Sequence, residues 1–170
     1  MLSYNTIYKR QQALKTLSRT LESAFGQTLA RIREKVHSEQ AFKILAWIRF
    51  IGPLPVDELR HALAVETHHS QFEWDNLPSA ATFLDCCLGL VRVDSSQHDS
   101  SHNRVDLVHS TLDVYFDSHP TIIGPIAPVI ARTCFIYLSF NPSERPELIS
   151  SLMNDAWISV LCTVKKSPLS

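Results

Sequence analysis

At 170 residues the chain is long enough for one domain with flanking extensions and a hydrophobic core of real size. A hydrophobic fraction of 45% and a charged fraction of 19% exclude disordered and fibrous classes. The formal net charge of −1, from 16 basic and 17 acidic side chains, supplies no overall field that would draw the chain to nucleic acid or to a membrane. Charge is nonetheless uneven. Residues 1–37 carry Lys9, Arg10, Lys15, Arg19, Arg31, Arg33 and Lys35 against Glu22 and Glu34. Residues 61–103 carry Arg92 against Glu66, Glu73, Asp75, Asp85, Asp94 and Asp99. The basic start suits either an acidic partner or the solvated face of a helix. Cys86, Cys87, Cys134 and Cys162 are irregularly spaced and follow no secretory signal, so free thiols in a reducing compartment are expected. The apolar stretch 156–164 is far short of the ~20 residues that a spanning helix needs. The expectation is a soluble, cytoplasmic protein that needs no cofactor and does not engage a membrane.

In chain order, Leu14, Leu17, Leu21, Phe25, Leu29, Ile32 and Val36 recur at steps of three and four, predicting one long amphipathic helix or two shorter ones over 11–36. Gly26 is a weak point within it, at about 1 kcal/mol relative to alanine. The segment 41–51 (AFKILAWIRFI) predicts a central buried helix, ended by Gly52-Pro53. Pro55 opens a second helix with Asp57 and Glu58 in its first turn and Leu59, Ala62, Leu63 and Val65 on its apolar face. Thr67 to Asn76 is a polar loop with Phe72 and Trp74 as anchors. A third helix follows Pro78 through Ala81, Phe83, Leu84, Cys87 and Leu88, with Gly89 as terminator.

Leu90–Asp94 and Arg104–Val108 alternate like strands around the polar tip 95–103, which predicts a hairpin with a long loop. Ser110-Thr-Leu-Asp113 has the spacing of a capping box, and Leu112, Tyr115 and Phe116 form the buried edge of the helix it starts. Gly124, Pro125 and Pro128 predict a rigid loop. Val129–Phe140 predicts a buried helix stopped by Pro142, and 143–154 a short one. The expected fold class is mainly α: a winged-helix domain of three helices plus a β-hairpin wing, with flanking helices. The expected divisions are a helical lead-in over 1–37, the winged-helix domain over 38–118, a C-terminal helical extension over 119–155 and a tail without pattern over 156–170.

The blocks ILAWIRFIGPLPVDELRHALAVE, FLDCCLGLVRVD, VDLVHSTLDVYF and IARTCFIYLSF resemble, in that order, the winged-helix domain of fungal STAND NTPases, also labelled the GPI inositol-deacylase-type winged helix. In those signalling proteins a NACHT nucleotide-binding domain precedes the module and ankyrin or other repeats often follow it. The resemblance covers about 41–140 and implies a regulatory part that packs on a nucleotide-binding domain, with that domain as protein partner. In the wider class a histidine at a strand end reaches the β-phosphate of bound ADP, and His109 in LVHST falls at that position. The resemblance thus makes His109 a nucleotide-sensing candidate, usable only with a partner NTPase domain. Read from the residues alone, His109 equally suits a cap of the following helix or a bond to a core carbonyl. The family pattern has proline and tyrosine where this chain has Ser18 and Phe25, and a threonine at Pro55, which removes a side-chain cap. With neither NTPase nor repeats in the sequence, the chain is expected to be a fragment or stand-alone copy of the architecture. It would then act as a free interaction domain or persist as a nonfunctional remnant.

Enzyme chemistry finds little support. Gly26, Gly52, Gly89 and Gly124 do not have the spacing of a phosphate-cradling loop, and no G-x-S-x-G elbow occurs. His109 and Ser110 are sequence neighbours, a poor base–nucleophile arrangement. Duplex DNA binding needs cations at the phosphates. The third helix and the wing tip 95–103 have none, so no nucleic-acid partner is expected. A zinc site would need four ligands at regular spacing. His68, His69, His98 and His102 lie on polar loops, and Cys86 and Cys87 should point about 100° apart on a helix, so no metal is expected.

Overall fold

The computed structural model describes residues 7–65, 72–94, 103–140, 156 and 158, with side chains from residue 19 onward. The stripe at the start folds as one continuous helix, α1 (Ile7–Arg33), rather than two. Phe25, Leu29 and Ile32 are its buried contacts, whereas Leu21 and Val36 of the same expected stripe are exposed, Val36 because the helix has already ended. A β-carbon on Gly26 would stand 3.2 Å from the Tyr115 hydroxyl oxygen. The residue read as a weak point is where α1 comes close to a later helix.

The most apolar segment forms α2 (Ser38–Ile51), and Ala41, Ile44, Leu45, Ala46, Trp47 and Ile48 are buried along it. It is the hub of the fold, packing on α1, on three later helices and on the middle strand of the sheet. Gly52 ends it at φ 97°, a left-handed conformation that glycine adopts without steric cost, and donates its N–H to the Ile48 carbonyl at 2.8 Å.

Next comes a strand that periodicity does not foretell, β1 (Leu54–Pro55). Val56 begins α3 (Val56–Ala64), with Pro55 at the N-cap and no side-chain cap bond, as the loss of a threonine there implies. Leu59, Ala62 and Ala64 are buried, and so is His61. Of the two expected loop anchors, Phe72 is buried and Trp74, in a 3-10 turn over Trp74–Asn76, is 59% exposed. The first part of that loop, 67–71, lies outside the described residues.

The third helix is shorter than expected. As α4 (Ala80–Cys86) it is capped by Ser79, whose hydroxyl accepts from the Thr82 N–H, and it ends before Leu88 (φ 49°) and Gly89 (φ 79°). Ala81 and Leu84 face solvent, and the buried face is Phe83, Cys86 and Cys87. The hairpin is present as β2 (Val91–Asp94) and β3 (Arg104–Leu107), paired antiparallel from Val91 opposite Leu107 to Asp94 opposite Arg104. Its tip, 95–102, lies outside the described residues. β1 adds to the other side of β3, Leu54 opposite Val105, giving a three-stranded antiparallel sheet of order β1-β3-β2. Arg104 donates to the Pro53 carbonyl across this join, and the Val56 N–H donates to the Asn103 carbonyl at 2.9 Å.

From β3 the chain enters α5 (Ser110–Ser118), burying Leu112, Tyr115 and Phe116 as the pattern predicts. The cap is one residue earlier than expected. His109, not Ser110, is the N-cap, and Asp113 faces Arg49 instead of reaching back. The last full element, α6 (Ile126–Ser139), begins three residues before the expected Val129. Pro125 is its N-cap and Pro128 sits in its first turn, where no N–H has an intrahelical partner to lose. Ile130, Cys134 and Tyr137 face inward from it.

Mainly helical with one small antiparallel sheet, the described chain builds one core from Phe25, Leu29 and Ile32 of α1 through to Ile130, Cys134, Phe140 and Ala156. The lead-in and the C-terminal extension therefore share their packing with the middle of the chain. The helix expected over 143–154 lies outside the described residues. Among the described residues no helix is long and apolar enough to cross a membrane.

Candidate functional site

Where α2 ends, the sheet begins and α5 starts, the surface opens into a cleft of about 470 Å³. Arg49 and the Gly52-Pro53 turn form one wall, Arg92 and Asp106 of the hairpin another, and Val108, His109, Ser110 and Asp113 the third. The site residue singled out in the sequence therefore lines a real concavity.

His109 is exposed, and its Nδ1 is occupied. It accepts from the Thr111 backbone N–H at 3.1 Å and lies 3.0 Å from the Thr111 hydroxyl oxygen. An acceptor nitrogen carries no proton, so in the neutral ring the hydrogen is on Nε2. The side chain therefore caps α5 with one nitrogen and is left a hydrogen-bond donor with the other. The backbone beside it adds to this polarity, since the first N–H groups of a helix carry partial positive charge. Ser110 does not take part: the accepting nitrogen, Nδ1, is engaged by Thr111.

Arg49 is the residue that pattern reading passes over. Its side chain is only 18% exposed; Nε lies 3.5 Å from an Asp113 carboxylate oxygen, and Nη2 pairs with Asp117. The guanidinium also covers the Phe116 ring, 5.6 Å from its centroid. Asp113 and Asp117 are four apart on one face of α5, so the fork of Arg49 fastens that helix to α2 and sets where His109 stands. The available signal was an arginine inside a mostly apolar run that also holds Lys43. Arg92 meets Asp106 at 3.4 Å and Asp94 at 3.9 Å, keeping the cleft's cations paired with its acids. What this arrangement can do is orient and donate to an acceptor group.

The basic face of α1 is only partly described: Arg19 and Arg31 are exposed on it, Lys35 is exposed just past its end, and the side chains of Lys9, Arg10 and Lys15 lie outside the described set. Arg33 is anchored, donating to the Ile122 carbonyl at 3.2 Å and lying 5.7 Å from the Phe42 ring centroid. The loop histidines His68, His69, His98 and His102 lie outside the described residues. Among the described residues no group of three His, Cys, Asp or Glu side chains is placed to hold a metal ion. Cys134 is free and buried, and burial pushes its thiol up to about 11. Cys86 and Cys87 correct an expectation: their sulfurs do not diverge but stand 3.9 Å apart. Comparisons of the chain with protein-family models, with curated proteins and with solved structures find no match.

Proposed function

We propose that the chain is a non-catalytic winged-helix regulatory module that packs on the nucleotide-binding domain of a protein partner, with His109 at the contact. The observation that carries this reading is the state of His109. Its Nδ1 is committed to capping α5, so its Nε2–H is a fixed donor at a strand-to-helix junction that lines a cleft. A donor beside a helix N-terminus suits a phosphate oxygen supplied from outside the chain. The order of elements supports the winged-helix part: helix, short strand, two helices, then a hairpin whose second strand pairs with the first short strand. The engagement of Nδ1 in the helix cap and the pairing of the arginines support a contact role over a catalytic one.

His109→Asn separates capping from contact, because asparagine retains a capping oxygen but loses the imidazole N–H. The expected result is about tenfold weaker association with an ADP-loaded NACHT-type domain, the loss of roughly one charge-assisted hydrogen bond. Calorimetry of the chain alone with ADP should give no binding heat. Equal affinity of wild type and H109N, or tight ADP binding by the chain alone, would sink the proposal.

A further inference from the structure

Adjacent side chains on a helix normally point about 100° apart. Those of Cys86, the last residue of α4, and Cys87, its C-cap, instead bring their Sγ atoms to 3.9 Å. Both are free thiols; Cys86 is 6% exposed and Cys87 is fully buried. Cys86 lies 3.6 Å from the Phe83 carbonyl oxygen and Cys87 3.9 Å from that of Ala41 on α2, so the pair is wedged between α4 and the hub helix.

Two facts define what such a pair can take. First, among the described residues no third His, Cys, Asp or Glu joins it. Zinc in a structural site uses four protein ligands, so the pair suits an acceptor that needs two sulfurs and brings its own third substituent. Second, a direct disulfide fits poorly. It would draw the sulfurs from 3.9 Å to about 2.05 Å and calls for Cα atoms about 4.4–6.8 Å apart, whereas neighbours across a trans peptide are about 3.8 Å apart. A single atom inserted between the sulfurs leaves them separated and relaxes that ring. We propose that Cys86 and Cys87 form a dithiol site for a thiophilic one-atom bridge of the monosubstituted trivalent arsenical class.

In the reaction two As–O bonds break and two As–S bonds form. Each thiol proton leaves with a hydroxyl group as water, and no atom changes oxidation state. The hydrogen bond between the two sulfurs holds the Cys86 thiol below its ordinary value, and Cys86 is the less buried of the pair, so it attacks first. Cys87, raised by that same bond and by burial, closes the ring. Entry needs only the end of α4 to open. That helix has seven residues and gives way at once to Leu88 and Gly89, both at positive φ.

The test is phenylarsine oxide on the reduced full chain, followed by gel filtration in excess monothiol, intact mass and peptide mapping. One equivalent should be retained, map to the peptide holding Cys86 and Cys87, and leave when a dithiol is added. Cys86→Ser and Cys87→Ser should each lose retention. The wild-type map stands even where a variant folds poorly. No retained adduct, an adduct on Cys134 or Cys162, or undiminished retention in either variant overturns the proposal.

Discussion

His61 and His109 set two regions of the molecule against each other. At His61 the ring is buried on α3, stacked on Phe72 at 5.7 Å between centroids and edge-on to Trp74 at 5.8 Å. Its Nδ1 lies 2.7 Å from the Asp57 carbonyl oxygen, which can only accept, so the proton is on Nδ1. At His109 the ring is exposed and Nδ1 accepts, so the proton is on Nε2. One side chain type occurs in opposite tautomers because one partner is a carbonyl and the other an amide. The first histidine spends its donor on its own helix, and the second saves its donor for the surface. A histidine is thus marked as structural or as available by what its Nδ1 meets.

The largest effect belongs to the buried corner. Phe72→Ala, removing the 5%-exposed ring on which His61 stacks, should cost about 3–5 kcal/mol in chemical denaturation. A loss below 1 kcal/mol would mean the corner is not packed as described. Next, Arg49→Met should cost about 1 kcal/mol, with much of the loss disappearing at high salt, because its carboxylate partners are half or more exposed. A salt-independent loss would assign the effect to packing on Phe116 instead. His109→Ala should also cost about 1 kcal/mol, and His109→Asn only a few tenths, as for any helix cap. Equal losses in the two would remove His109 from the capping role. Last, with no change in stability to read, nitrogen-detected NMR of the imidazoles should find the His61 proton on Nδ1 and the His109 proton on Nε2. The same tautomer at both would collapse the contrast.

How far the sequence reveals this molecule depends on how local the cause is. The stripe of α1, the apolar run of α2, the alternation of the hairpin and the buried edge of α5 are local patterns, and each gives its element. β1 has only two residues, one of them proline, and exists because Val105 and Arg104 pair with it from some fifty positions onward. The early start of α6 is hidden by Pro128, which breaks a helix interior but is harmless in a first turn. The cap shifts from Ser110 to His109 because a ring nitrogen can stand in for the usual side-chain oxygen. The strand-to-helix junction at His109 was legible. The clamp of Arg49 that positions its helix was not, since Asp113 and Asp117 lie far along the chain.

The sheet order has one more consequence. With β3 in the middle, both its edges are paired, and the rims fall to β1 and β2. β1 is two residues long and Pro55 has no N–H to offer; β2 is four residues long and places Arg92 and Asp94 outward. Short, proline-bearing and charged rims discourage one copy from templating another. Among the described residues the sheet thus offers only short, interrupted edges for strand exchange.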